Sequence, residues 1–194
     1  VEAGNFVDVV ALTDAIKSLT EICDDSMKIK IKVTDCVLVL PPYGLEIFQT
    51  QQVTTIVSDV GSIQNLDIRN IYALIRNGRV PTNNELIDII PERFILDQGR
   101  SFINPPIGET SQTLTMAAKV HTLPKNIFLY YQQIVNDCNI NVSRTFVAPF
   151  AASELLATYK DLPSDYFLVD IGSHVTTVSL IGGKELYASR FFTW

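Results

Sequence analysis

The chain lacks a long apolar run. Its 194 residues are 47% hydrophobic, yet charged residues interrupt every stretch before the ~18–20 continuous apolar residues that a membrane helix needs. No cleavable leader is expected either, because Asp8, Asp14 and Lys17 break the first apolar stretch and no small-residue cleavage site follows. Positive charge is scarce: the net charge is −6 and no Lys/Arg cluster exists, which argues against a nucleic-acid partner. Cysteine is scarce too. Cys23, Cys36 and Cys138 are an odd count without CxxC spacing, so reduced, buried thiols in a cytosolic protein are expected rather than a disulfide framework or a metal site. The two histidines, His121 and His174, are too few for a zinc cluster, and neither sits in a nucleophile motif, so no Ser/His/Asp set can be argued.

A sizeable core and a mixed order of elements are present. Val9, Leu12, Ile16, Leu19 and Cys23 recur at helical steps over residues 9–23, with Asp8 as N-cap. "KVTDCVLVLP" from Lys32 reads as a strand that ends at the breaker pair Pro41-Pro42. "QQVTTIVS" reads as a half-buried strand. Ile68, Ile71, Tyr72 and Ile75 mark a helix behind an Asn65 cap. "ELIDIIPERFILD" returns to strand chemistry, with Pro91 at a bulge or edge. "NPPIG" (104–108) is a loop, and Leu114, Met116, Ala118 and Val120 alternate with period two. Residues 44–122 therefore read as a compact unit of three strands and one main helix. A helix from Pro124 follows, with Tyr131 on its apolar face. Residues 144–171 read as strand, helix and strand, a βαβ unit with parallel strands. A terminal hairpin turns at Gly182-Gly183.

Candidate chemistry is sparse. His121, at the end of an alternating strand, reads as a surface or edge position. Asp88, Glu92 and Asp97 fall at mixed parity along one run and read as solvated charges. The stretch "FLVDIGSHVTTVSLIGGKEL" (167–186) has two readings. It is an ordinary hairpin whose Asp170 is solvated at a strand end, or a turn whose small residues let backbone N–H groups reach phosphate while the carboxylate holds hydrated Mg²⁺.

Several patterns recur together in order: Gly4 and Asp8 before the first helix, a strand ending at Pro41-Pro42, "IPERFILDQG" from Ile90, "NPPIG", "VAPFAASELL" and "LVDIG". In this order and spacing the chain resembles the FtsA family of bacterial cell-division proteins, within the actin-like ATPase superfamily. The resemblance implies an α+β / α/β fold. A partial actin-like (ribonuclease H-like) subdomain 1A, in segments 1–43 and 123–194, is interrupted by a small β-rich subdomain 1C with one main helix at 44–122.

Against the family pattern the chain corresponds to a middle segment. The family's first Asp-x-Gly loop falls before Gly4, and its second lobe and membrane-targeting helix fall after "RFFTW". Asp170 takes the Mg²⁺-water position, and Gly172, Ser173, Thr176 and Thr177 take the phosphate-loop positions. His174 stands where the family has glycine and adds bulk at the tip. ATP and Mg²⁺ are implied for the full-length family, with none expected on this segment alone.

The implied function is assembly rather than catalysis. It links the division ring protein FtsZ to the membrane, recruits later division proteins and self-assembles into filaments at the cytoplasmic face of the membrane. Membrane contact would run only through a C-terminal region outside this segment. The alternatives are a nucleotide-binding ATPase or kinase of the same superfamily and a pilus-assembly ATPase relative.

Overall fold

The structure, a computed structural model, describes residues 8–24, 29–78, 80–183 and 185–193. Gly4 lies outside the described residues. The chain divides into two compact units, one of residues 1–45 and 123–194, the other of residues 46–122.

The first helix, α1 (Val9–Thr20), begins where Asp8 was expected to cap it: the Ala11 N–H donates to Asp8 Oδ1 at 2.8 Å. It stops sooner than the apolar spacing suggests, because β1 (Glu21–Asp24) pairs antiparallel with β2 (Ile29–Lys32). A short antiparallel ladder has claimed the residues that would have made another helical turn. The strand read from Lys32 is likewise split, and its second part is β3 (Asp35–Leu40), which ends at Pro41-Pro42.

The 46–122 unit follows from two periodicities. Its strands are β4 (Glu46–Thr55), β5 (Asn84–Leu96), β6 (Ser101–Phe102) and β7 (Thr113–Pro124), in the order β4-β7-β5-β6. The sheet is thus the expected three strands plus a two-residue β6. Helix α2 (Asn65–Arg76) is capped one residue earlier than expected: Gln64 is the N-cap, and its N–H donates to Asp67 Oδ2 at 2.8 Å. Leu114, Met116, Ala118 and Val120 all face one side of β7 and are 0–1% exposed. Against them pack Ile71 and Ile75 of α2, both buried, and Ile68, half-buried, while Arg69 and Arg76 point outward. Pro91 lies inside β5, and β6 pairs only with Phe94 and Ile95 further along that strand.

The second segment carries α3 (Lys125–Asn136), β8 (Asn141–Val147), α4 (Ala148–Leu156), β9 (Tyr166–Ile171), β10 (Val175–Gly182) and β11 (Glu185–Thr193). β8 does pair in parallel, but with β3. β9 pairs antiparallel with β10 in the separate sheet β11-β10-β9, so the βαβ unit expected over 144–171 is not formed. A short turn brings β10 back onto β9 at a lower loop-closure entropy than the helical crossover. Val135, Cys138 and Ile140 form a small core with Ile16, Cys36, Leu38 and Val142. Cys36 and Cys138 are free thiols; Cys138 is buried as expected, whereas Cys36 is only half-buried.

Candidate functional site

The hairpin between β9 and β10 closes on two residues. The Gly172 N–H donates to the Val175 carbonyl at 2.9 Å, leaving Ser173 and His174 as the tip. Gly172 is needed for close approach, since a Cβ there would meet the Val175 oxygen at 2.9 Å. His174 does not occupy a left-handed position. Among the described residues only Gln98 and Asn139 combine a side chain with positive φ, so the ring is carried on ordinary backbone.

This tip borders a cavity of about 240 Å³ lined by Pro41, Pro42, Tyr43, Ala148, Asp170, Gly172, Ser173, His174, Val175 and Thr177. Three elements meet here: the end of β3, the first residue of α4 and the hairpin. Asp170, Gly172, Ser173 and Thr177 all line this cavity. Thr176 does not join them. Thr177 pairs with Asp170 across the ladder and Thr176 with Ile171, so alternation along the strand sends the two threonines to opposite faces. The Thr176 hydroxyl is buried with no hydrogen-bond partner among the described residues.

The sequence reading passed over Tyr43, whose ring meets Phe191 edge-on at 5.0 Å. Burial, then the nearby Asp170 carboxylate, pushes its phenol above the usual tyrosine range. Its only signal in the sequence is its place directly after the strand-ending prolines.

Among the described residues, no Lys or Arg lines this cavity. Among the described residues the polar set is one carboxylate, the Ser173 and Thr177 hydroxyls, the Tyr43 phenol, an imidazole and a turn kept clear of a Cβ. Such a set fits a hydrated divalent cation carrying phosphate oxygens, since Mg²⁺ keeps most of its waters and takes one or two carboxylates. It does not fit a bare polyanion, which Asp170 would repel.

A second cavity, about 730 Å³, lies in the 46–122 unit between Ile56–Gly61, Asp97–Arg100 and Thr110–Gln112. Asp97 is no solvated charge: its carboxylate accepts the Thr113 hydroxyl and the Gln112 N–H, and its own N–H donates to Ser111 Oγ. These bonds, the Thr113 hydroxyl foremost, hold its carboxyl below the usual range. The groove is therefore braced by a structural turn. Nearby, Arg100 is bonded to Glu109 at 2.8 Å and to the Thr110 carbonyl at 2.6 Å.

Glu92 is half-buried and pairs with the nearly enclosed Lys119 at 3.5 Å. His121, expected at the surface, is 1% exposed. Both faces of the later part of β7 are covered, and alternation cannot signal that. Burial, with Lys119 adding to it, lowers the His121 pKa to about 4. No group of His, Cys, Asp and Glu able to hold a metal ion occurs among the described residues, and no described helix is long and apolar enough to cross a membrane.

Residues 44–122 match the model described as the SHS2 domain inserted in FTSA. The chain is 27% identical over 186 residues to the cell division protein FtsA of Streptococcus pneumoniae, covering 96% of this chain and 40% of that protein. It is 26% identical over 185 residues to FtsA of Enterococcus faecalis, covering 94% of this chain and 41% of that protein. Among solved structures, a chain of the PilM-PilN type IV pilus biogenesis complex superposes with a TM-score of 0.55 at 18% identity, covering all of this chain and 51% of that one. That likeness bears on the fold alone. The chain thus spans about 40% of the length of the curated relatives it matches. Residues 44–122 are thus similar to the SHS2 domain inserted in FtsA, and the chain as a whole is similar to cell division proteins FtsA.

Proposed function

We propose that residues 46–122 are a protein–protein interaction module and that the remainder supplies one wall of a nucleotide pocket, with no catalysis by this chain alone. In the full-length protein the module would join neighbouring subunits and later division proteins, while the whole links the FtsZ ring to the membrane.

The observation that carries the reading is the free edge of β4. Its register with β7 runs unshifted from Glu46↔Thr122 to Thr55↔Thr113, and β4 has no partner on its other side among the described strands. The edge is longer than the sequence suggested. It has no proline and no bulge, and Glu46 is its only charge. A regular ten-residue edge of this kind is a template for an added strand. None of the residues lining the hairpin cavity comes from this unit, which supports separate roles for the two.

Charging the edge tests the reading. Gln51 and Val53 are exposed, so Gln51→Lys with Val53→Lys should leave the fold intact by circular dichroism. Self-assembly and partner capture by the full-length protein should fall at least several-fold, because a charged edge resists strand addition. Undiminished assembly would remove edge pairing from the account.

On the nucleotide side, Asp170 would hold the hydrated Mg²⁺, with Gly172, Ser173 and Thr177 beside the phosphates. ATP supplies the phosphates and, when hydrolysed, a change in their charge. The 194-residue chain alone is expected to show no Mg-ATP binding by calorimetry. Sub-millimolar affinity would contradict this.

A further inference from the structure

We propose that Ser173 and His174 act as a unit that offers a side-chain N–H to phosphate at the hairpin tip. The inference rests on the nucleotide reading of the cavity and deepens it.

A hairpin of small residues ordinarily grips phosphate with its backbone N–H groups. Here the first of them is committed, since the Gly172 N–H bonds the Val175 carbonyl at 2.9 Å. Among the described residues, no Lys or Arg lines the cavity to compensate. The tip instead carries an imidazole, and its Nδ1 lies 2.8 Å from the Ser173 hydroxyl oxygen. When that hydroxyl donates to Nδ1, the ring proton sits on Nε2, which becomes a donor in the neutral imidazole. Ser173 then sets the tautomer and the ring orientation, and His174 makes the contact. A side-chain donor replaces the backbone approach that glycine would allow.

The neutral imidazole is sufficient as the donor. The other titratable groups facing the cavity are Asp170 from β9 and Tyr43 from the end of β3; Ala148 of α4 adds none. A neutral donor also suits a phosphate whose charge is already partly matched by a cation at Asp170.

The test uses the full-length protein, calorimetric titration with Mg-ATP, and nitrogen-15 NMR of the histidine ring. His174→Ala should weaken binding about tenfold, the scale of one hydrogen bond to a charged group. Ser173→Ala should weaken it less and leave His174 a mixture of tautomers. In the unaltered protein with nucleotide, the ring should carry its proton on Nε2 with Nδ1 bare. His174→Ala or His174→Gly binding as tightly as the parent, or more tightly, would make the ring an obstruction and overturn the proposal. In that case Asp170→Asn would still abolish binding if the nucleotide reading is right. Failure of the parent protein to bind millimolar Mg-ATP would overturn that reading and this proposal together.

Discussion

Replacing Phe94 by alanine should destabilise the 46–122 unit by about 3–5 kcal/mol, the usual range for emptying a buried aromatic site. Phe94 is fully buried among Ile71, Met116 and Leu114. It sits on β5 between β7 and the two residues of β6, pairing with Phe102. Its loss removes apolar surface from water and leaves a void that rigid neighbours on a sheet and a helix cannot fill. Since a domain's whole stability is about 5–15 kcal/mol, a unit this small would be largely unfolded. Amide hydrogen exchange would locate the effect: protection should collapse across residues 46–122. Arg93→Ala, one residue away but exposed, should change little. A Phe94→Ala cost below about 1 kcal/mol would mean that the core is not where the fold puts it.

The second large effect is acid sensitivity through His121. Its pKa in the folded chain is about 4, against 6.5 for an ordinary histidine. Between those values the unfolded chain binds a proton that the folded chain refuses. Stability contributed by the neutral ring is therefore full above pH 6.5, falls as pH drops towards 4, and falls no further below that. The shift corresponds to about 3 kcal/mol over the window. Denaturation at pH 7 and pH 4.5 would show it, with His121→Leu as reference. The leucine variant loses the ring's polar contacts at every pH, but it should lack this part of the acid loss, so the two proteins should converge as pH falls. Parallel acid profiles would show that His121 is not the titrating group.

What could be read from the sequence divides along a physical line. The phase of α2 and the inward residues of β7 were legible because each is a one-sided periodicity: Ile71 and Ile75 at helical steps, Leu114 to Val120 at alternate positions. The burial of Lys119 and His121 was not, because polar residues at the outward parity signal solvent unless another element covers them. The roles of Asp97 and Arg100 were hidden for a similar reason. Their partners, Thr113 and Glu109, are distant in sequence and meet only when the chain turns at Gln98 and Gly99. The pairing of β8 with β3 instead of β9 joins strands far apart in the chain, and a strand's composition does not name its partner. At the site, the order "DIGSHVTT" placed the hairpin, while the pleat separated Thr176 from Thr177. Tyr43 had to await the fold.

The most direct test of the account is deletion of residues 46–122 from the full-length protein. Glu46 and Thr122 face each other across the ladder, so Leu45 and Leu123 can be joined by a short linker, and the hairpin cavity loses none of its lining residues. Sedimentation of the shortened protein with and without its division partners is the measurement. The account predicts that self-assembly and partner capture are lost while the remaining unit keeps its fold. Filaments and partner binding at undiminished levels would contradict it.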